Sequence, residues 1–589
     1  MQELTGNDVA RIEEQIDALL EAESLPGGSL ADSRWMLVTA CEDMLRIVFA
    51  SSAHLWTTEA DIEQRAAVIH RLDEIKYLIR IALLKIDKEK PIGNWETKYF
   101  KRKEDSRYTY IGKFIWRIAK FYMRAQGVFS GIYGRDADAW GVKGGCKLFT
   151  RPSLRSMQYR LLEALVVQDL DPFTPIPILA SSFLGDKYTF PDGSRLEQGA
   201  AFKAAVKSVK LRNGKISYPF VLQRIRDLFD MHLYDPQIVP QEWVFPWGDY
   251  DFSRRFFAGL SALCHMHMVC VYHGALKHGL QGGGLDQACL ILKRGDFAKR
   301  ISAVAGIPSD QTSRAIEMLT YGTLAKTPDL ALQPFLPLAG EELLVAPLHT
   351  ISSNWPRNSL TLHARIASST FDRQSHLFEL PMIEKITDSV PDRFDSFGNI
   401  TLKVGRRKEE IDVVLVDHLD KQILLCECKW SIPPGDPREV NDRRKSMIQK
   451  VGQADRKLEF VRKNIASFTA RLSLHAGDYS CKALVITEGF GGDLTDQQHI
   501  PVVPAAVFKE ALGQEITLHK LHEIFTSPLW LPRPGIDCDV QGEVHRFAGV
   551  EIGELGLGFT SNEYLEHNLA KYLIDAAALS SEQIAGNVW

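Results

Sequence analysis

What this chain lacks narrows what it can be. Its nine cysteines include no Cys-x-x-Cys pair, so a reducing interior is expected rather than a secreted disulfide scaffold. Residues 1–6 have neither the basic start nor the apolar run of a signal peptide. The longest apolar stretch, residues 256–276, is interrupted by His265, His267, His273 and a serine, which suits a buried helix better than a membrane span. Excess positive charge is missing too. The formal net charge is −4, so any surface for nucleic acid has to be local. The run Gly282-Gly283-Gly284 lacks the flanking strand and helix and the Lys-Ser/Thr end of a phosphate loop, and reads as a linker. A cytoplasmic protein with no membrane partner is the resulting expectation.

At 589 residues, 45% hydrophobic and 24% charged, the chain has room for several ordinary globular domains. The expected fold class is multidomain: a mainly α N-terminal region, then a C-terminal α/β domain with a mixed sheet. Residues 1–150 read as a helical domain, because 9–23, 35–50 and 62–86 carry apolar residues at helical spacing. Residues 151–290 read as a mainly helical domain whose function the sequence does not disclose. Residues 291–370 form a helix-turn-helix-like unit with a β-hairpin and a connector. The α/β domain spans 371–532, and 533–589 is a tail.

Three motifs carry a plain reading beside a functional one. Residues 98–124 interleave basic side chains with aromatics, a pattern that can bind single strands but more often marks an amphipathic helix with a solvated basic face. Cys264, His265, His267, Cys270 and His273 share one apolar helix; without a second ligand pair they read as core residues before zinc ligands. Residues 297–305, the turn Gly306-Ile307-Pro308 and a helix capped by Ser309 resemble a helix-turn-helix. Gln311 and Arg314 then stand at the start of the would-be recognition helix, and 335–345 could form a wing. Such tri-helical units also serve as structural modules.

The chemistry lies in residues 410–429. Two apolar runs of high strand propensity flank a polar turn, which signals a hairpin. With a four-residue loop at 418–421, Asp417 faces Gln422, Asp412 faces Glu427 and Glu410 faces Lys429. Opposed Cβ atoms lie roughly 4.5–5.5 Å apart and alternate residues share a face, so Asp412, Glu427 and Lys429 converge. Two carboxylates that close repel unless a cation intervenes, and hard oxygens suit Mg²⁺ or Mn²⁺. After the hairpin, residues 438–464 read as a long helix with nine basic residues against four acidic. Arg443, Arg444, Lys445, Lys450, Arg456 and Lys457 are its candidate phosphate contacts.

The order of elements is a helix bearing an acid, then Asp412, then Glu427-Cys428-Lys429, then a helix with glutamines. It resembles the PD-(D/E)XK nuclease superfamily, the restriction-endonuclease-like fold, over about a quarter of the chain. No Pro-Asp precedes the strand; Asp412 follows Ile411. The resemblance implies metal-dependent phosphodiester hydrolysis. Asp412, Glu427 and the Cys428 backbone carbonyl would hold the metal, and Lys429 would orient the attacking water. A helix acid would complete the site. Glu379 is preferred to Glu384 because it shares a face with Ile383 and Ile386, although Pro381 complicates that helix. A glutamine, Gln453 ahead of Gln449, would join from the later helix. The function so implied is an Mg²⁺- (or Mn²⁺-) dependent nuclease acting on nucleic acid, DNA ahead of RNA, in the manner of defence against foreign DNA, with a partner protein or homo-oligomer left open. The alternative is a non-catalytic nucleic-acid-binding scaffold with a degenerate nuclease fold.

Overall fold

The computed structural model describes residues 2–52, 55, 62–95, 105–134, 137–169, 179, 187–189, 195–197, 207–233, 239–280, 285–324, 326–435, 437–474, 478–489, 499–514, 516–527 and 530–559. The Gly282–Gly284 linker lies outside these residues. The chain divides into two compact units, neither continuous in sequence. One holds residues 15–124 and 171–372; the other holds 1–14, 125–170 and 373–589. The linear division at residue 150 therefore does not match the spatial one.

The first unit is mainly helical. Leu30–Ser52 and Ile62–Glu89 are its early long helices, where apolar spacing predicts them. Of the basic-aromatic stretch, residues 105–124 are described, and Phe114, Ile115, Ile118 and Phe121 are buried core. Tyr108 and Tyr110 donate to Asp43 and Glu23. The plain amphipathic reading accounts for this stretch. Helix Tyr250–Lys277 is long and apolar enough to cross a membrane, yet most of its apolar window is buried inside the fold. Its Cys264, His265, His267 and Cys270 are buried. His267 Nε2 donates to the Gln287 carbonyl at 2.9 Å while its Nδ1 accepts from Tyr218 at 2.7 Å. His265 meets His232 at 3.0 Å. Burial pushes His232 and His267 down to about 4, so both are neutral at physiological pH and act as satisfied core groups.

Downstream in the same unit, strand Leu290–Lys293, helices Arg294–Ala305 and Ser309–Met318, and strands Leu336–Pro337 and Glu342–Val345 follow in the order of a winged helix. The last strand lies between the other two. Gly306, at φ 65°, closes the first helix in the left-handed region that a side chain would disfavour. Pro308, not Ser309, is the N-cap of the second, and Ser309 is its first helical residue.

The second unit contains two five-stranded sheets. In one, Gln2–Glu3, Ala137–Gly141, Lys147–Pro152, Val550–Phe559 and Cys538–Phe547 lie side by side in that order. Glu551 to Glu554 pair in parallel with Lys147 to Thr150. Residues 538–559, expected as part of a tail, are thus a hairpin whose pairing partner lies near residue 150, a long-range contact that no local pattern announces. The other sheet carries the predicted hairpin: β1 (Asp395–Val404), β2 (Arg407–Asp417), β3 (Gln422–Lys429), β4 (Ser480–Thr487) and β5 (Val502–Pro504), adjacent in sequence order. The first three are antiparallel and the last two join in parallel, so the sheet is mixed. Helix α1 (His376–Asp388), with Ala505–Leu512 and Leu518–Thr526, covers one face through Met382, Ile386, Phe508 and Phe525. Helix α2 (Pro437–Lys463) covers the other through Met447, Leu458 and Val461. β2, β3 and β4 read as near-continuous apolar runs because both their faces are buried.

Ile552 is fully buried on the Val550–Phe559 strand. Ile552→Ala is expected to destabilise the protein by about 2–4 kcal/mol through transfer and cavity terms. Urea unfolding would measure this, and a loss within the noise of a surface substitution would return the segment to the status of a tail.

Candidate functional site

The hairpin register is set by its own turn. Asp417 is fully buried, and its Oδ1 accepts the Leu419 and Asp420 N–H groups at 3.1 and 3.3 Å. Arg393 holds its Oδ2 at 3.0 Å. This Asx-turn fixes the loop at four residues, with Lys421 in the left-handed region at φ 49°. Asp417 then pairs with Gln422 and the ladder runs to Val413 opposite Cys426. Extended one step, that register would set Asp412 opposite Glu427, but the pairing ends at Val413 opposite Cys426.

Beyond that pair the regular ladder stops. Asp412 Oδ2 instead accepts the Cys428 N–H at 2.7 Å. Across from it on β1, Asn399 sits at φ 54° and falls out of the β1–β2 pairing. Ile411 packs with Val414 and Val416, whereas Val413 packs with Leu415 on the other face, so side-chain alternation slips by one at Asp412. Glu410 consequently does not meet Lys429. It pairs with Thr401 and is exposed.

Lys429 turns to the other helix. Its Nζ lies 3.0 Å from Glu379 on α1. One residue before Glu379 and one after Lys429, Phe378 stacks on Trp430 with centroids 3.7 Å apart. These two contacts clamp α1 to the end of β3. Glu384 is exposed on the same helix, and Glu379 is the one of the two beside Lys429. Pro381 lies inside α1 without ending it.

Glu427 turns towards α2. It is 2% exposed, with Lys457 Nζ at 2.5 Å from Oε1 and Lys450 Nζ at 3.8 Å from Oε2. Lys450, Gln453 and Lys457 stand at i, i+3 and i+7, on one face of α2. Gln453 is half-buried there, and Gln449 is exposed. Lys450 and Lys457, expected as phosphate contacts, instead face the carboxylates, and their helical spacing with Gln453 is the sequence signal for that.

Burial pushes both carboxyls above the usual carboxylate range, and Asp412 raises Glu427 further. The Cys428 N–H, Lys450 and Lys457 act against burial at Asp412, and Lys457 does so at Glu427. The donor set fits an oxyphilic divalent ion: two carboxylates at one sheet end and a backbone carbonyl at Cys428. Glu427 Oε2 is buried and accepts no hydrogen bond among the described residues. Among these residues no cluster of three or more His, Cys, Asp or Glu is arranged for a metal, so a bound ion would rely on the two carboxylates, the carbonyl and water. A cavity of about 280 Å³ lined by Arg462, Tyr479 and Lys482 lies elsewhere, near the start of β4, six residues before its end beside the carboxylates.

The remaining nucleic-acid candidates are rearranged. Arg443 and Arg444 are buried, and Arg444 donates to the Gly134 carbonyl at 3.3 Å, so neither lies on an open basic face. Lys445 and Arg456 are at the surface, paired with Asp442 and Glu409. The uniform basic stripe is corrected to a helix whose cations are divided between core, carboxylates and surface ion pairs. On the winged helix, Gln311 packs over Gly248, and Arg314 is exposed and 3.4 Å from Asp310.

The fold and site define a multidomain chain with a helical unit and an α/β unit bearing two carboxylates and a lysine at the end of a mixed sheet. Residues 364–445 match the model of a family, DUF234, described as archaea bacterial proteins of unknown function. The match includes Glu379, Asp412, Glu427 and Lys429 and ends before Lys450. No curated protein and no solved structure matches the chain.

Because both carboxyls are raised, the folded state favours their protonated forms. Stability from this pair is present at low pH and is lost as pH rises from the ordinary carboxylate range through the raised values. Asp412→Asn is therefore expected to stabilise the metal-free protein on the order of 1 kcal/mol at pH 7.5, with the gain shrinking towards pH 4. Thermal melts across that range test it, and a destabilised variant at neutral pH would contradict the charge argument.

Proposed function

We propose that the chain is a metal-dependent nuclease of the PD-(D/E)XK kind, hydrolysing phosphodiester bonds in DNA ahead of RNA. One observation carries the reading: Asp412, Glu427 and Lys429, with Glu379, gather at one end of a mixed sheet flanked by helices. The acid-bearing helix α1 before the strands and the long helix α2 after them support this reading.

In this reading Asp412 and Glu427, with the Cys428 carbonyl, hold Mg²⁺ or Mn²⁺. When bound, such an ion polarises the phosphoryl oxygen and makes water more acidic. Lys429 orients the attacking water, and its charge offsets the negative charge that grows on the phosphate. Glu379 fixes the Lys429 ammonium at 3.0 Å, and the Phe378–Trp430 stack fixes the helix that carries Glu379. Gln453 borders the same site from α2.

The scaffold reading draws on a different observation: Glu427 is already engaged by Lys457 and Lys450, so the site is charge-balanced without a metal. A Mn²⁺ titration separates the two, because a scaffold has no Asp412-dependent site.

The nuclease reading predicts Mg²⁺- or Mn²⁺-dependent cleavage of circular and linear duplex DNA. Lys429→Ala and Asp412→Ala should each lower the rate by at least about 100-fold, the scale of losing one preorganised electrostatic group. Glu379→Gln should cost roughly tenfold, as a supporting residue does. Undiminished cleavage in both alanine variants would refute the assignment.

A further inference from the structure

We propose that Lys457, assisted by Lys450, is a cationic latch on Glu427 that a divalent ion must displace, so that two helix lysines set the metal affinity of the site. This rests on the metal-site reading above and adds its regulation.

The geometry puts the conflict on one carboxylate. Lys457 Nζ sits 2.5 Å from Glu427 Oε1, and Lys450 Nζ is 3.8 Å from Oε2. An Mg²⁺ ion needs such an oxygen at about 2.0–2.1 Å. An ammonium already held by that carboxylate would then face a doubly charged cation at short range in a buried setting, where charges are poorly screened. The ion has Glu427 Oε2 open to it, but it enters beside two ammonium groups that repel it, Lys457 on Oε1 and Lys450 at 3.8 Å from Oε2.

Charge arithmetic points the same way. With both ionised, as a metal requires, Asp412 and Glu427 supply −2, Lys450 and Lys457 supply +2, and the sum is zero. A divalent ion takes the group to +2. Lys429 does not alter the sum, because Glu379 balances it. The excess is relieved if the lysines swing away, and a lysine's four-carbon stem allows that without moving the backbone of α2. The freed ammonium groups are then available to phosphate oxygens. Metal and a nucleic-acid strand would thus favour each other's binding, since each weakens the hold of the latch on the other's partner. Both lysines lie beyond the segment that matches the family model.

The test is Mn²⁺ binding to the full chain without substrate, read by electron paramagnetic resonance of the free ion. Lys457→Gln should bind Mn²⁺ about tenfold more tightly than the parent, a change of roughly 1.4 kcal/mol. Lys457→Arg, which keeps the cation, should stay within about threefold. Asp412→Asn should abolish the site. If Asp412→Asn binds Mn²⁺ as the parent does, the metal-site reading fails and the latch with it. If Asp412→Asn loses the site but Lys457→Gln shows unchanged or weaker affinity, the latch alone is overturned. A readout on the unmodified chain covers a variant that fails to fold: saturating Mn²⁺ should raise acylation of Lys457 by an amine-reactive ester several-fold, and unchanged labelling counts against release.

Discussion

Two carboxylates brought to one buried sheet end cannot both stay ionised without nearby positive charge, and the α/β unit is arranged around that requirement. Burial raises both groups, with Glu379 adding to it at Asp412 and Asp412 adding to it at Glu427. The structure answers with three sources of positive potential: the Cys428 N–H on Asp412, and Lys457 and Lys450 on Glu427. Each source comes from a different part of the fold, a strand backbone and two turns of the helix on the opposite face from α1. The site is therefore a property of how the sheet is covered on both sides, and not of the hairpin alone.

The same sheet end divides its labour between its two helical layers. α1 governs Lys429 through Glu379 and through the Phe378–Trp430 stack. α2 governs Glu427 through its lysines. Asp412 lies between them, at the point where strand alternation slips and Asn399 leaves the ladder. A regular β-strand would have kept Asp412 in the backbone pairing pattern. The slip instead lets its carboxylate accept a backbone N–H from the neighbouring strand, which ties it to the Cys428 peptide whose carbonyl would serve as a metal ligand.

The helical unit has a different character. Some of its buried polar groups pair with one another, as with His267 between Tyr218 and the Gln287 carbonyl, and its short strands and helices follow in winged-helix order. The exposed surface of the second helix there mixes signs, with Arg314 beside Asp310. Such a face lacks the uniform positive charge that phosphate binding favours. The winged-helix-like order of these elements does not by itself assign DNA contact.

Much of this was legible in the sequence, for identifiable reasons. Period-2 and period-3.6 patterns are local, so the hairpin, the long helices and the strands at 480–487 and 502–504 could be read from apolar spacing. The register was readable because Asp417 closes its own turn through contacts two and three residues away. Glu379 could be preferred to Glu384 because helical periodicity aims it with Ile383 and Ile386. Three features could not be read this way. Residues 538–559 pair with residues near 150, and backbone hydrogen bonding carries no sequence label for a distant partner. Arg443 and Arg444 were counted as solvent-facing cations, yet packing buries them, since charge composition says nothing about which face of a helix is covered. Lys429 was placed opposite Glu410 by extending a regular ladder, but the ladder ends at Val413 and the lysine reaches Glu379. The sequence by itself determined which residues form the strands and which acids lie near their ends, because those depend on neighbours along the chain. Only the tertiary structure decided which cation each acid meets, because that depends on which helix covers which face of the sheet.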